Sequence, residues 1–444
     1  MESNGSIHID YSKYEHWKYE KFARFVNNML LRRDTYLHTF KLHFKHYHPV
    51  NFKDVRTWIG HAVKHNVKVL DVNLSGYDKT VLPRCIFTCR SLQELNLSMG
   101  EAPEDDLEHE GLLLPDMIKL PSLKRLTLCD VEVGDICLMQ IIARSPLLED
   151  VHLINCAQYL ELVDSKVLKR LTINGCIGGD KGLTIAAPQL VHFECTGWPL
   201  EDISWRERPS LESAHIDTLC SGRTFDGQSD LTGIVLHAKR LALCGSDIKA
   251  MLEKELRSCP VFDNLVTLEI GGWCLTNDLY VVVRFLQLSP RLEKLTLRQR
   301  KLNKVTKGEG ASSMPIAGMT FMCPLLETVI IQCSKDDDEI EKTVNAMVGY
   351  GISLEKIQVI FYEDIERAKR WGMSLEQMKE HDILEKARKE KENQERLGNS
   401  KAGSDDSDDD NDEMEDEDDE DDEDEMEDDD DDDDDEMDDD DDDF

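Results

Sequence analysis

The stretch Phe262-Asp263-Asn264-Leu265-Val266-Thr267-Leu268-Glu269-Ile270-Gly271-Gly272-Trp273-Cys274 decides how the chain folds. Counted from Leu265, apolar residues occupy positions 1, 4 and 6. Side chains alternate across a strand, so positions 4 and 6 share one face while position 1 falls on the turn that leads in. The frame returns at Leu292 (Leu295, Leu297), at Leu326 (Val329, Ile331) and at Leu354 (Ile357, Val359), the last just before Phe361.

Upstream, the same triplet begins at Leu37, Val67, Leu92, Leu123, Leu148, Leu168, Leu190 and Leu211, and more weakly at Ala238. One such triplet occurs in any core strand, but thirteen in series, with starts 20 to 34 residues apart, are an internal repeat. This is the leucine-rich-repeat pattern. It predicts an α/β solenoid (horseshoe) of about thirteen irregular units, each a strand followed by a return segment. Regular units run roughly 20 to 29 residues, so the longer intervals 92–123 and 292–326 are expected to hold loop insertions.

A solenoid grows by adding neighbours, which explains how 444 residues can serve one architecture. The formal net charge of -39 is unevenly placed: 34 carboxylates lie between Asp405 and Asp443, and the rest of the chain is close to neutral. Met1 to Glu20 has no secretory pattern, and no apolar run approaches the roughly 18 residues of a membrane span. The thirteen cysteines form no CxxC pair, which points to reduced thiols and to a nuclear or cytoplasmic setting. Cys156, Cys176 and Cys274 stand just after strands, where this repeat type buries a Cys or Asn.

Four segments are expected along the chain. Residues 1–36 form an N-terminal capping segment with an amphipathic helix from Phe22 to Leu31, and residues 37–362 form the solenoid. Residues 363–397, rich in Glu, Lys and Arg with pairs such as Glu385 and Lys389, read as one long charged helix. Residues 398–444 read as a linker and a disordered acidic tail. Return helices are expected at Val55 to His65, Asp135 to Ala143, Asp247 to Leu256, Asp278 to Leu288 and Asp336 to Val348.

No constellation for catalysis, metal or cofactor emerges. His43, His46 and His48 cluster without a Cys or carboxylate and surround Lys45. His61 and His65 share a helix face, but Ala62 stands where the zinc-protease motif needs Glu. Gly175, Gly178, Gly179 and Gly182 lack phosphate-loop spacing and suit the turns of a short repeat. A ladder of parallel strands is a binding surface instead. Its candidate partner-facing residues, beside the strand positions, are Lys124, Arg125, Glu149, Asp150, Lys169, Arg170, Glu293 and Lys294. Ser404 and Ser407 precede acidic residues and are candidate phosphosites. Clustered Lys and Arg for phosphate contacts are lacking, so direct nucleic-acid binding is not expected.

The text from Phe262 to Leu297, with its Gly-Gly-Trp-Cys turn and Leu292-Glu293-Lys294-Leu295, resembles the FBD region of plant F-box and leucine-rich-repeat proteins. So does Cys323 to Ile357, and Phe22 to Phe44 is similar to the segment that follows the F-box there. The resemblance covers roughly residues 20–362 and implies the substrate-recognition part of an SCF-type ubiquitin-ligase receptor. In that family the F-box docks on the adaptor and cullin assembly. Leu114-Pro115-Asp116-Met117-Ile118 on its own resembles the opening of an F-box, but the repeat from Leu120 to Leu126 follows at once and leaves no room for the module, so it reads as loop. The tail admits another reading, because leucine-rich repeats followed by Asp/Glu runs look like acidic nuclear phosphoproteins that bind histones or other basic proteins.

Overall fold

The computed structural model describes residues 5–400 apart from 15, 33–35, 45–50, 75–81, 100–117, 132–134, 157–160, 177–181, 198–202, 219–230, 274–278, 300–322 and 338–339. The two expected insertions, Cys274, His46, His48, Gly178, Gly179, Ser404, Ser407 and the acidic tail lie outside the described residues. The chain divides into two compact units, Met1–Leu375 and Glu376–Phe444.

The first unit is built on one parallel sheet of fourteen strands. It starts with β1 (Ser6–Asp10), β2 (Thr39–Phe44), β3 (Val69–Leu74), β4 (Glu94–Ser98), β5 (Arg125–Cys129) and β6 (Asp150–Ile154). Three strands then peel off into a second parallel sheet, β7 (Leu162–Asp164), β9 (Leu183–Ala186) and β11 (Ile203–Trp205). Between them the main sheet continues with β8 (Arg170–Asn174), β10 (His192–Thr196) and β12 (Ser213–Asp217). It ends with β13 (Arg240–Cys244), β14 (Thr267–Trp273), β15 (Lys294–Gln299), β16 (Thr328–Cys333) and β17 (Ile357–Phe361).

All thirteen predicted units supply a strand of this sheet, in sequence order and parallel register. From β2 to β16 positions 4 and 6 form two continuous buried rows, as in Leu95, Leu126 and Val151 beside Leu97, Leu128 and Leu153, and on β17 Ile357 and Val359 are half-buried. Parallel pairing forces this, since equivalent positions of successive units must stack. Cys156 and Cys176 are buried just past their strands, and their thiols donate to the carbonyls of Leu128 at 3.4 Å and Leu153 at 3.7 Å.

Return segments differ with unit length. Long units afford helices: α2 (Phe52–Lys64) in the first, α3 (Asp135–Arg144), then α4 (Leu231–Val235), α5 (Ser246–Glu255), α6 (Tyr280–Leu288) and α7 (Ile340–Gly349). The units starting at Leu148, Leu168 and Leu190 have only 20 to 22 residues each. They return through β7, β9 and β11, because an extended chain covers the distance with fewer residues than a helix.

The ends of the first unit depart from the sequence reading. The capping segment holds α1 (Tyr19–Leu31), with Phe22, Val26 and Leu30 buried, but also β1, which pairs in parallel with β2 through Ile7 on Phe40 and Ile9 on Leu42. Tyr11, Phe22, Phe44 and Trp58 close the core there; Phe44 and Trp58 stack 6.1 Å apart, and Trp58 Nε1 donates to Asn27 Oδ1 at 2.7 Å. At the other end the expected single helix over 363–397 is two: α8 (Tyr362–Trp371) and α9 (Leu375–Ser400). Gly372 takes the left-handed conformation at φ 63, and its N–H and that of Met373 turn back to the carbonyl of Ala368. That is a glycine helix stop, which the run of charged helix formers concealed.

Because Trp58 fills the end of the core and carries a buried donor, Trp58→Ala should lower stability by about 3–5 kcal/mol, read as a shift in the urea midpoint. Trp58→Phe, which keeps most of the volume and loses only the hydrogen bond to Asn27, should lose less than half of that.

Candidate protein-binding face

The strand pattern fixes which residues look outward. Positions 4 and 6 face the core, so positions 3, 5 and 7 of every unit stand on the open face of the main sheet. Register turns position 3 into one row across the sheet: Glu94, Arg125, Asp150, Arg170, His192, Ser213, Arg240, Thr267 and Lys294.

The structure sorts the eight sequence-selected residues by this rule. Arg125, Asp150, Arg170 and Lys294 are position-3 residues on the open face, whereas Lys124, Glu149, Lys169 and Glu293 stand one residue earlier, on the turns at its rim. Six of the eight gather on three adjacent strands, β5, β6 and β8. Glu293 and Lys294 belong to β15, five strands beyond β8 in sheet order, which is about 24 Å at the usual strand spacing.

The gathered six neutralise one another. Asp150 is buried, with Arg125 Nε at 3.2 Å, Arg170 Nε at 2.9 Å and His152 Nε2 at 2.8 Å. Burial opposes its ionisation, but hydrogen bonding by His152 and Arg170 and their charges outweigh it and bring the pKa down to about 2. Arg125 also reaches Glu94 at 3.1 Å, and on the rim Lys169 meets Glu149 at 3.0 Å. Asp150 thus organises its neighbours more than it presents charge to solvent.

Sequence reasoning missed other members of the face. Lys41 and His43 bracket Asp71 at 3.1 and 3.3 Å on β2 and β3. Glu194 accepts from Asn174 Nδ2 at 3.1 Å, and Glu269 pairs with Arg298 at 2.6 Å. His192 and Arg240 complete the position-3 row. Counting positions 3, 5 and 7 in every unit, Ala238 included, is the signal that finds them.

At the far end α8 folds back near the strand ends and bounds a cavity of about 540 Å³, lined by Asp217, Cys244, Arg298, Gln332, Tyr362 and Lys369 among others. Tyr362 Oη donates to the carbonyl of Gln299 at 3.3 Å, and Glu363 receives Ser334 Oγ at 2.5 Å. Burial pushes the Cys244 thiol up to about 12, with Asp217 adding to it, so it stays protonated and unreactive at neutral pH. Elsewhere, His61 and His65 stack at 4.2 Å. Among the described residues, the His/carboxylate group close enough to share an ion is His381, Asp382 and Glu385 on exposed α9, where Glu385 already pairs with Lys389 at 3.0 Å. No helix among the described residues is long and apolar enough to cross a membrane.

These rows of outward residues on a parallel ladder match a known profile, the leucine-rich-repeat domain of the At1g61320/AtMIF1 type, over residues 31–315. The chain belongs to this family of plant F-box/leucine-rich-repeat proteins. It is similar to the F-box/FBD/LRR-repeat protein At5g56420 of Arabidopsis thaliana, 26% identical over 66% of this chain and 68% of the relative. It is also similar to the FBD-associated F-box protein At5g56380 of the same plant, 29% identical over 44% of this chain and 46% of that one. The F-box/LRR-repeat protein At4g14103 is 26% identical over 64% of this chain and 77% of its own length. The first relatives are matched over 65% to 68% of their length. No solved structure matches the chain. Family membership makes the protein a leucine-rich-repeat interaction scaffold.

Two outcomes test the electrostatics of the face. With a native pKa of about 2 against an ordinary 3.8, Asp150 stabilises the fold above pH 4, and the contribution fades as pH falls toward 2. Asp150→Asn should therefore lower stability by roughly 2 kcal/mol at neutral pH, with the gap to wild type closing in acid. His192 is held below its ordinary pKa, first by burial and then by Arg240 and Arg170. Its imidazole signals in NMR should titrate below 6.5 and move upward in Arg240→Ala.

Proposed function

We propose that the open face of the main sheet holds a protein substrate and that the chain is the substrate-recognition part of an SCF-type ubiquitin-ligase receptor. The observation that carries this reading is the continuous row of outward side chains over the fourteen-stranded ladder, in a chain whose relatives bear F-box and FBD names. A rigid ladder fixes the spacing of many side chains at once, so it can hold a partner without paying for its own ordering at the moment of binding. Contacts to the adaptor and cullin belong to an F-box and are assigned to no residue here.

Two further features bear on the reading. Asp150 is held in ion pairs and Cys244 is desolvated, settings that favour holding over reacting. The tail supports a second role: 34 carboxylates between Asp405 and Asp443 form a polyanion to which histones or other basic proteins are attracted.

Proximity labelling in plant cells, with the product of the complete transcript, tests the receptor role. Adaptor, cullin and a substrate stabilised by proteasome inhibition should be labelled, and Ser213→Trp on the open face should lose the substrate alone. Labelling of the substrate undiminished by Ser213→Trp would remove the open face from the reading, and absence of adaptor and cullin would remove the ligase. For the tail, deletion of 404–444 should abolish histone binding at moderate salt; binding that survives the deletion would exclude this role.

A further inference from the structure

The position-3 row changes character halfway along. From β4 to β8 it reads Glu94, Arg125, Asp150 and Arg170, and each charge meets its opposite within 3.2 Å. Beyond β8 it reads His192, Ser213, Arg240, Thr267, Lys294 and Thr328, without a carboxylate. Arg240 and Lys294 are exposed, and neither forms an ion pair with a described residue.

The carboxylates around them are engaged elsewhere or set off the row. Glu269 holds Arg298, Glu194 faces Asn174 and His215, and Glu212 on the rim holds Lys239 at 3.5 Å. Glu293 and Glu327 stand on the preceding turns. Burial is the first cause of the depressed pKa of His192; among the charges around it, Arg240 and Arg170 lower it more than Glu212 and Asp150 raise it. The half-row is thus a stripe whose charged side chains, Arg240 and Lys294, are both cations.

We propose that His192, Arg240 and Lys294 form a docking track for an extended acidic segment of the partner protein. The proposal rests on the open-face reading above and names the chemistry that face selects. Arg240 on β13 and Lys294 on β15 are two strands apart, which places their charges about 10 Å from each other. A peptide in the extended polyproline II conformation has three residues per turn and advances about 3.1 Å per residue, so carboxylates three residues apart share one face and meet both cations. Ser213 and Thr267 stand in the same row beside Arg240 and offer hydroxyls to the peptide backbone. A nucleic acid fits less well, because it gathers affinity from many phosphate contacts and Glu194 and Glu269 flank the stripe.

The test pans a random dodecapeptide display library on the full chain at about 0.15 M salt. Binding of recovered peptides is then measured by fluorescence anisotropy. The tail is present in every variant and cancels from the comparison. Recovered peptides should be enriched in Asp or Glu pairs three residues apart. Arg240→Glu combined with Lys294→Glu should weaken them about tenfold or more. Arg240→Lys should retain binding. Both positions are exposed, and unchanged thermal unfolding confirms that the double variant is folded. Peptides without acid enrichment that still depend on Ser213 would overturn the acidic track while sparing the open face. Failure to recover any peptide sensitive to Ser213→Trp would overturn both. A single-stranded oligonucleotide bound by wild type and released by the double variant would reassign the stripe to nucleic acid.

Discussion

Parallel stacking of equivalent positions is the constraint on which this structure depends. No unit can bury its own apolar strand face, because a lone strand and return segment leave positions 4 and 6 open to water. Burial comes from the next unit, and the hydrogen-bond register lets neighbours meet only at equivalent positions. One frame of apolar residues is therefore imposed from Leu37 to Val359, whatever the return segment does. Helices, the second sheet of β7, β9 and β11, and stretches outside the described residues are all compatible with it, because they lie off the ladder.

The same register decides what the open face can be. Positions 3, 5 and 7 are free of core duty, and pairing sets them side by side at strand spacing, so charges at position 3 couple whether or not a partner is present. Asp150 shows one result: with Arg125, Arg170 and His152 around it, its charge is balanced inside the protein. Arg240 and Lys294 show the other, since Thr267 separates them and no acid occupies the row beyond β8. Identical backbone positions thus yield a structural ion cluster in one half and an unbalanced potential in the other.

Where the sequence was legible follows from this physics. The ladder could be read because a period imposed by stacking repeats itself thirteen times, and even the weak Ala238 unit became β13. β1 escaped because Ile7 and Ile9 carry only the two core positions of a five-residue strand, with Asn4 where the other units place their leading apolar residue. The break between α8 and α9 rests on one glycine in a text of good helix formers, where local propensity says little about a stop. On the face, charged residues next to strand leucines could be chosen from sequence, but rim and row differ by a single residue. That Asp150 is buried while Lys294 is exposed depends on neighbours 20 or more residues away. Only the register supplies those neighbours.

The distribution of charge adds a final step. A net charge of -39 would by itself predict a protein that repels acidic ligands, yet 34 of its carboxylates sit in one terminal run and the ladder is close to neutral. At physiological salt, charges act over roughly 8 Å. A peptide on the sheet therefore responds to the residues beneath it more than to the chain's total. Beneath it from β10 to β15 lie Arg240 and Lys294, which form no ion pair among the described residues, and His192, whose pKa is lowered first by burial and then by Arg240 and Arg170. Recognition at short range therefore follows the side chains that touch the peptide and not the chain's total charge.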